Sequence, residues 1–93
     1  IDQWIDSLAD PAAKARVESR LQRLVSGSFG DHRSVGSGVW ELRIHYGPGY
    51  RVYYAMMNQI CVLLLCGGDK RKQTSDIARA IEYWDDFQKR TEP

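Results

Sequence analysis

Arg43-Ile44-His45 and Arg51-Val52-Tyr53 each set two chemistry-bearing side chains two residues apart, and the basic run Lys70-Arg71-Lys72 follows them. Groups of these types suit phosphodiester chemistry. Arginine's planar fork takes two phosphate oxygens at once, lysine adds a point charge, and an imidazole exchanges a proton near neutral pH. Together they can stabilise a pentacovalent phosphorane by position and charge, without a metal. Whether they meet depends on the backbone that carries them.

That backbone alternates. Trp40, Leu42, Ile44 and Tyr46 are interleaved with Glu41, Arg43 and His45, Gly47-Pro48-Gly49 makes a tight turn, and Tyr50 to Met57 alternates again, which predicts an antiparallel hairpin. A turn centred on Pro48 pairs Tyr46 with Tyr50, His45 with Arg51, Ile44 with Val52 and Arg43 with Tyr53. One side is then wholly apolar from Trp40 to Met56, with Tyr46, Tyr50 and Tyr54 in the core, and all the helices are expected to pack there. The other side carries Glu41, Arg43, His45, Arg51 and Tyr53. Asn58-Gln59 forms a second turn into the apolar run Ile60 to Cys66, a strand for the sheet centre. With a tight turn there, Cys66 lies beside Arg51, and the Gly67-Gly68-Asp69-Lys70 loop leaves the sheet at the end that holds His45 and Arg51. The competing expectation is a solvated outer face with no function.

The helices flank this sheet in sequence. Ile1, Trp4, Ile5 and Leu8 share one face of a short helix. Asp10-Pro11 caps and opens a second, over 11–26, which Gly27 stops; its buried stripe is Val17, Leu21, Leu24 and Val25, and Arg16, Arg20 and Arg23 form a basic stripe beside it. Residues 27–38 read as a turn-rich connection. Ile77, Ala80, Ile81, Trp84 and Phe87 mark a last helix over 75–89, with Thr74 or Ser75 as its cap and Asp76 in its first turn. The expected architecture is α+β: a small antiparallel meander with an N-terminal helical hairpin and a C-terminal helix packed on it.

Composition limits the rest. A chain of 93 residues, 43% apolar and 27% charged, is expected to fold as one domain spanning 1–93. Its longest apolar run is far short of the roughly 20 residues of a membrane-spanning helix. The net charge of +1 conceals a basic middle: residues 32–72 hold six basic and two acidic groups, against four and five before them and three and five after. That asymmetry points to a phosphate-bearing partner. Cys61 and Cys66, about 16 Å apart on one strand at ~3.3 Å per residue, are expected to stay reduced and unpaired, which assigns the cytoplasm. No His or Cys spacing suggests a metal, and no cofactor is implied.

The stretch Glu41 to Tyr54, then Leu63 to Lys70, Gln73, Asp76-Ile77 and Ala80, with Trp4 to Leu8 and Gly27 to Asp31 before them, resembles the HigB-type addiction-module killer proteins of the RelE/ParE superfamily. The resemblance implies the toxin of a type II toxin–antitoxin pair, a metal-independent endoribonuclease that cuts messenger RNA, often on the ribosome, by attack of a ribose 2′-hydroxyl on the adjacent phosphate. It implies that Arg43 and Arg51 hold the scissile phosphate, that Lys70 stabilises developing charge and that His45 moves the proton, with Tyr53 as substitute. Tyr53, Arg71, Lys72 and Gln73 are the candidate RNA-binding residues. The implied partners are a small helix-turn-helix antitoxin, messenger RNA and the ribosome, with no membrane. Two alternatives stay open: a ParE-like inhibitor of DNA gyrase that cuts nothing, and an inactive relative that only binds an antitoxin. Relatives begin with an extra strand before the first helix, and its absence, like that of an initiating methionine, leads to the expectation of a truncated or disordered N-terminus.

Overall fold

A computed structural model describes residues 2–58 and 61–91. Helices α1 (Asp2–Ser7) and α2 (Pro11–Val25) precede strands β1 (His32–Gly36), β2 (Val39–Ile44), β3 (Tyr50–Met57) and β4 (Cys61–Asp69); a 3-10 turn (Lys70–Lys72) leads into α3 (Gln73–Thr91). The strands form one antiparallel meander in the order β1-β2-β3-β4. This is the expected α+β architecture. Among the described residues no helix is long and apolar enough to cross a membrane.

Local chemistry explains the helix ends. The Asp10 side chain accepts from the Ala12 amide at 2.9 Å, Pro11 opens α2, and Gly27 follows it at φ 95°. At the far end of the sheet the cap is Asp69, which accepts from the Arg71 amide and starts the 3-10 turn. Thr74 and Ser75, the expected caps, lie inside α3.

Several expectations are corrected. The stretch 27–38 contains β1, paired His32↔Leu42, Arg33↔Glu41 and Ser34↔Trp40, and joined to β2 through Gly36, Ser37 and Gly38, all at positive φ. An edge strand of five mostly polar residues shows no apolar alternation. The run Cys61–Asp69 is likewise an edge, and β2 and β3 form the centre. Val25 is not in the core but 74% exposed, because Ala13, Val17 and Leu24 already complete α2's buried stripe. The Asn58-Gln59 turn, and the thiol of Cys61, fall partly or wholly outside the described residues; Cys66 is a free, buried thiol.

The helices do not share one face. Trp4, Ile5, Val17, Leu21 and Leu24 pack on Leu42, Ile44, Val52 and Tyr54, whereas Ile77, Ala80, Ile81 and Trp84 of α3 pack on Val35, Val39, Tyr53 and Cys66 of the opposite side. A bulge in β4 prepares that second layer. Tyr54 pairs with Leu64 but Tyr53 with Cys66, so the extra residue Leu65 turns Cys66 toward α3. The glycines after it serve both layers: a Cβ on Gly67 would lie 2.4 Å from the Trp4 ring, and one on Gly68 would lie 1.9 Å from Asp76 Oδ2. Only bare backbone lets α1 and α3 approach β4 so closely.

Candidate functional site

The first hairpin pairs two residues away from the expected register. Ile44 faces Tyr50, Arg43 faces Arg51, Leu42 faces Val52 and Glu41 faces Tyr53. Residues 45–49 are all loop, held by Tyr46 N–H donating to the Ile44 carbonyl and Gly49 N–H to the Tyr46 carbonyl, with Gly47 and Gly49 at positive φ. A shift of two preserves the faces, so Arg43 and Arg51 still share one side. In the second hairpin Gly68, rather than Cys66, lies beside Arg51: the pairing from Met57 and Cys61 onward is one residue off the tight-turn register, and the β4 bulge adds one more.

At the loop end lies a cavity of about 400 Å³ lined by Arg43, His45, Gly47, Pro48, Gly49, Tyr50, Arg51 and Lys70, among others. The backbone N–H of Lys70 donates to the Gly49 carbonyl at 2.9 Å and fastens the 3-10 turn to the hairpin loop. Arg43, His45, Arg51 and Lys70 are thus brought together. The other candidates are placed elsewhere: Arg71 pairs with Asp69 at 2.8 Å, Lys72 lines a separate pocket with Arg71, and Tyr53 and Gln73 lie behind the arginines.

Two arginines opposite one another on adjacent strands repel. Glu41 compensates. Its carboxylate is fully buried beneath them, 3.5 Å from Arg51 Nε and 3.8 Å from Arg43 Nε, and accepts from Arg33 Nε, Tyr53 Oη and Gln73 Nε2, each at 3.0 Å. Burial alone would raise the Glu41 pKa, but hydrogen bonds from Tyr53, Arg33 and Gln73 and the Arg33 charge carry it below the ordinary value. The Tyr53 hydroxyl, buried and held by the same carboxylate, is pushed well above the normal tyrosine range.

A second carboxylate serves the rim. Asp31 accepts from His45 Nε2 and lies 3.7 Å from Arg43 Nε. That hydrogen bond from His45, more than any other contact, holds Asp31 below its ordinary pKa. Arg20 of α2 positions the segment by donating to the carbonyls of Arg43 at 2.8 Å and Phe29 at 3.3 Å. His45 itself is 71% exposed, with Nδ1 left as its second ring nitrogen.

Residues 3–85 match the family described as phage-derived protein Gp49-like (DUF891). The chain belongs to the Gp49-like family. The Gp49-like family is known as a RelE/HigB-like toxin family of toxin–antitoxin systems, in line with the resemblance carried by the hairpin motif. An uncharacterised protein of Haemophilus influenzae (strain Rd) is 49% identical over 79 residues, covering 85% of this chain and 80% of its own length. No solved structure matches the chain significantly.

Asp76 has a different role from the two site carboxylates. It is 2% exposed, its Oδ2 has no hydrogen-bond partner, and burial raises its pKa against the opposing charges of Arg79 and Lys72. A carboxyl whose folded pKa is raised favours the fold when protonated, and that advantage disappears as pH rises through the folded value. Asp76→Asn is therefore expected to raise the thermal midpoint at pH 8 and to change it little at pH 3, where the native residue is already neutral. Equal shifts at both pH values would show that shape, not charge, sets the cost of this side chain.

Among the described residues no three His, Cys, Asp or Glu side chains gather as a metal-binding group. Sequence reasoning missed Glu41 and Asp31 as organisers. Glu41 had a signal, since it alternates onto the arginine face two residues before Arg43; Asp31 reaches His45 only through the path of β1.

Proposed function

We propose that this Gp49-like chain is the toxin of a type II toxin–antitoxin pair, acting in the cytoplasm as a metal-independent endoribonuclease on messenger RNA, with the whole of 1–93 as one toxin domain. The observation that carries this reading is the convergence of Arg43, Arg51, His45 and Lys70 on one cavity, the two arginines backed by a shared buried carboxylate. The scissile phosphate sits between the Arg43 and Arg51 forks, and Lys70 faces it from the 3-10 turn. With Nε2–H donating to Asp31, the Nδ1 of His45 takes the proton of the ribose 2′-hydroxyl as its oxygen attacks phosphorus. The P–O5′ bond breaks, leaving a 2′,3′-cyclic phosphate and a 5′-oxyanion that takes up one proton to become the 5′-hydroxyl. Tyr53 and Gln73 act through Glu41, while Arg71 and Lys72 extend the positive surface beyond the cavity.

A helix-turn-helix antitoxin is the expected protein partner and the translating ribosome the expected setting. Primer extension on message from cells expressing this chain alone tests the reading: discrete cuts at codon positions support it. Growth arrest with intact message and blocked DNA supercoiling would instead make the chain a ParE-like gyrase inhibitor. No growth arrest at all would make it an inactive antitoxin-binding relative.

A further inference from the structure

Beside the cavity just described lies a second, of about 310 Å³, lined by Arg16, Ser19, Arg20, Arg23, Ile44 and His45. Ile44 and His45 line both, so the two form one continuous strip from Lys70 across the hairpin end to α2. Three guanidiniums border this second hollow, and no carboxylate does. Among the described residues none of the three has an acidic partner within ion-pair distance. The contrast with the pocket on the N-terminal half of the same helix is informative: there Lys14 is neutralised by Asp6 at 3.2 Å and lies beside Glu18. Burial, and then the charge of Arg23, hold the Arg20 guanidinium below its ordinary pKa, and the more distant charge of Asp31 offsets them only in part. Arg20 is occupied in fixing the backbone at Arg43 and Phe29, and Arg16 is stacked over the Tyr46 ring at 4.6 Å, which pre-orders its fork.

We propose that this hollow is a second phosphate subsite, in which Arg16 and Arg23 hold the backbone of the same RNA strand whose scissile phosphate lies between Arg43 and Arg51. The inference rests on the nuclease reading of the first cavity. Unneutralised guanidiniums contiguous with a phosphate site favour a polyanion that spans both, and RNA supplies phosphates at regular intervals. His45, exposed between the two cavities, sits where the strand crosses.

The test uses 2′-O-methyl oligoribonucleotides, which lack the attacking hydroxyl and are not cut. Binding of a dinucleotide and of an octanucleotide is measured over a range of salt for the native chain and for Arg16→Gln/Arg23→Gln. Both positions are exposed, so thermal midpoints should stay close to native. On the octanucleotide the double variant is expected to bind about tenfold more weakly at low salt and to lose about 1.4 from the slope of log affinity against log salt, or ~0.7 per arginine. On the dinucleotide it should match the native chain. An unchanged octanucleotide slope overturns the subsite, as does equal weakening on both lengths or loss of antitoxin binding without loss of RNA binding. If the native chain binds neither oligonucleotide, the subsite fails, and primer extension on message from expressing cells decides the nuclease reading separately; if it binds both and the double variant binds both equally well, only the subsite fails.

Discussion

Arg51→Gln is expected to lower RNA cleavage by about 100- to 1,000-fold, equivalent to ~2.7–4 kcal/mol of transition-state stabilisation, while the protein stays folded and still binds its antitoxin. Arg51 faces Arg43 directly across the hairpin, and its terminal nitrogens reach the loop, where a side chain on Gly49 would meet Nη1 at 3.7 Å. The side chain is not the solvated surface group that an outer sheet face suggests, since only 11% of it is exposed. Truncation to alanine would therefore leave a void as well as remove a charge, which makes glutamine the cleaner substitution. Glutamine keeps a donor near Glu41, and that carboxylate retains Arg33, Tyr53 and Gln73. Relief of the repulsion from Arg43 offsets part of the loss. A net cost of about 1 kcal/mol would lower the thermal midpoint by roughly 4–8 °C. Growth arrest, cleavage of ribosome-bound message and thermal midpoint are measured together; a folded Arg51→Gln with full cleavage would remove Arg51 from the reaction.

The features legible in the sequence are those with strong local periodicity. The alternation from Trp40 to Met57 is set by side chains that must choose a face, so the hairpin and the shared side of Arg43 and Arg51 could be read even with the register wrong. The two-residue slip arose because Gly47 and Gly49, both at positive φ, open a five-residue loop where a tight turn on Pro48 was expected. A slip of one would have separated the arginines; a slip of two only exchanged their partners. Tertiary effects were less accessible. The side of the sheet that carries Glu41 and Arg51 also carries Val39 and Tyr53, and the Leu65 bulge adds Cys66, which together make an apolar floor for α3 that simple alternation conceals. Nor does the sequence around Asp31 announce a contact with His45, because β1 has too few apolar residues to declare itself a strand.

Glu41→Gln should act on stability before it acts on chemistry. The native carboxylate is fully buried and takes hydrogen bonds from Arg33, Tyr53 and Gln73 while lying within 4 Å of Arg43 and Arg51. A glutamine there offers one acceptor oxygen, and its amide hydrogens point at donors that have nothing to give them. Removing one partner from a buried ionic group costs about 3–5 kcal/mol. Arg33, with 47% of its side chain exposed, can turn to water, whereas Tyr53 has no such escape, so the lower end of that range is expected. About 3 kcal/mol corresponds to a fall of roughly 12–24 °C in thermal midpoint for a domain near this size. The pH dependence separates this cause from a packing defect. Because the folded pKa of Glu41 is depressed, its stabilisation is complete above the ordinary glutamate value, about 4.3, and is lost as pH falls through the lower folded value. The gap between native and variant midpoints should therefore be full at pH 7 and shrink below about pH 4. Asp31 and Asp69, also depressed, titrate in both proteins and cancel from the difference. A gap that stays constant down to pH 2 would mean that Glu41 fills space rather than neutralising the arginines, and the pairing of Arg43 with Arg51 would then need another source of compensation.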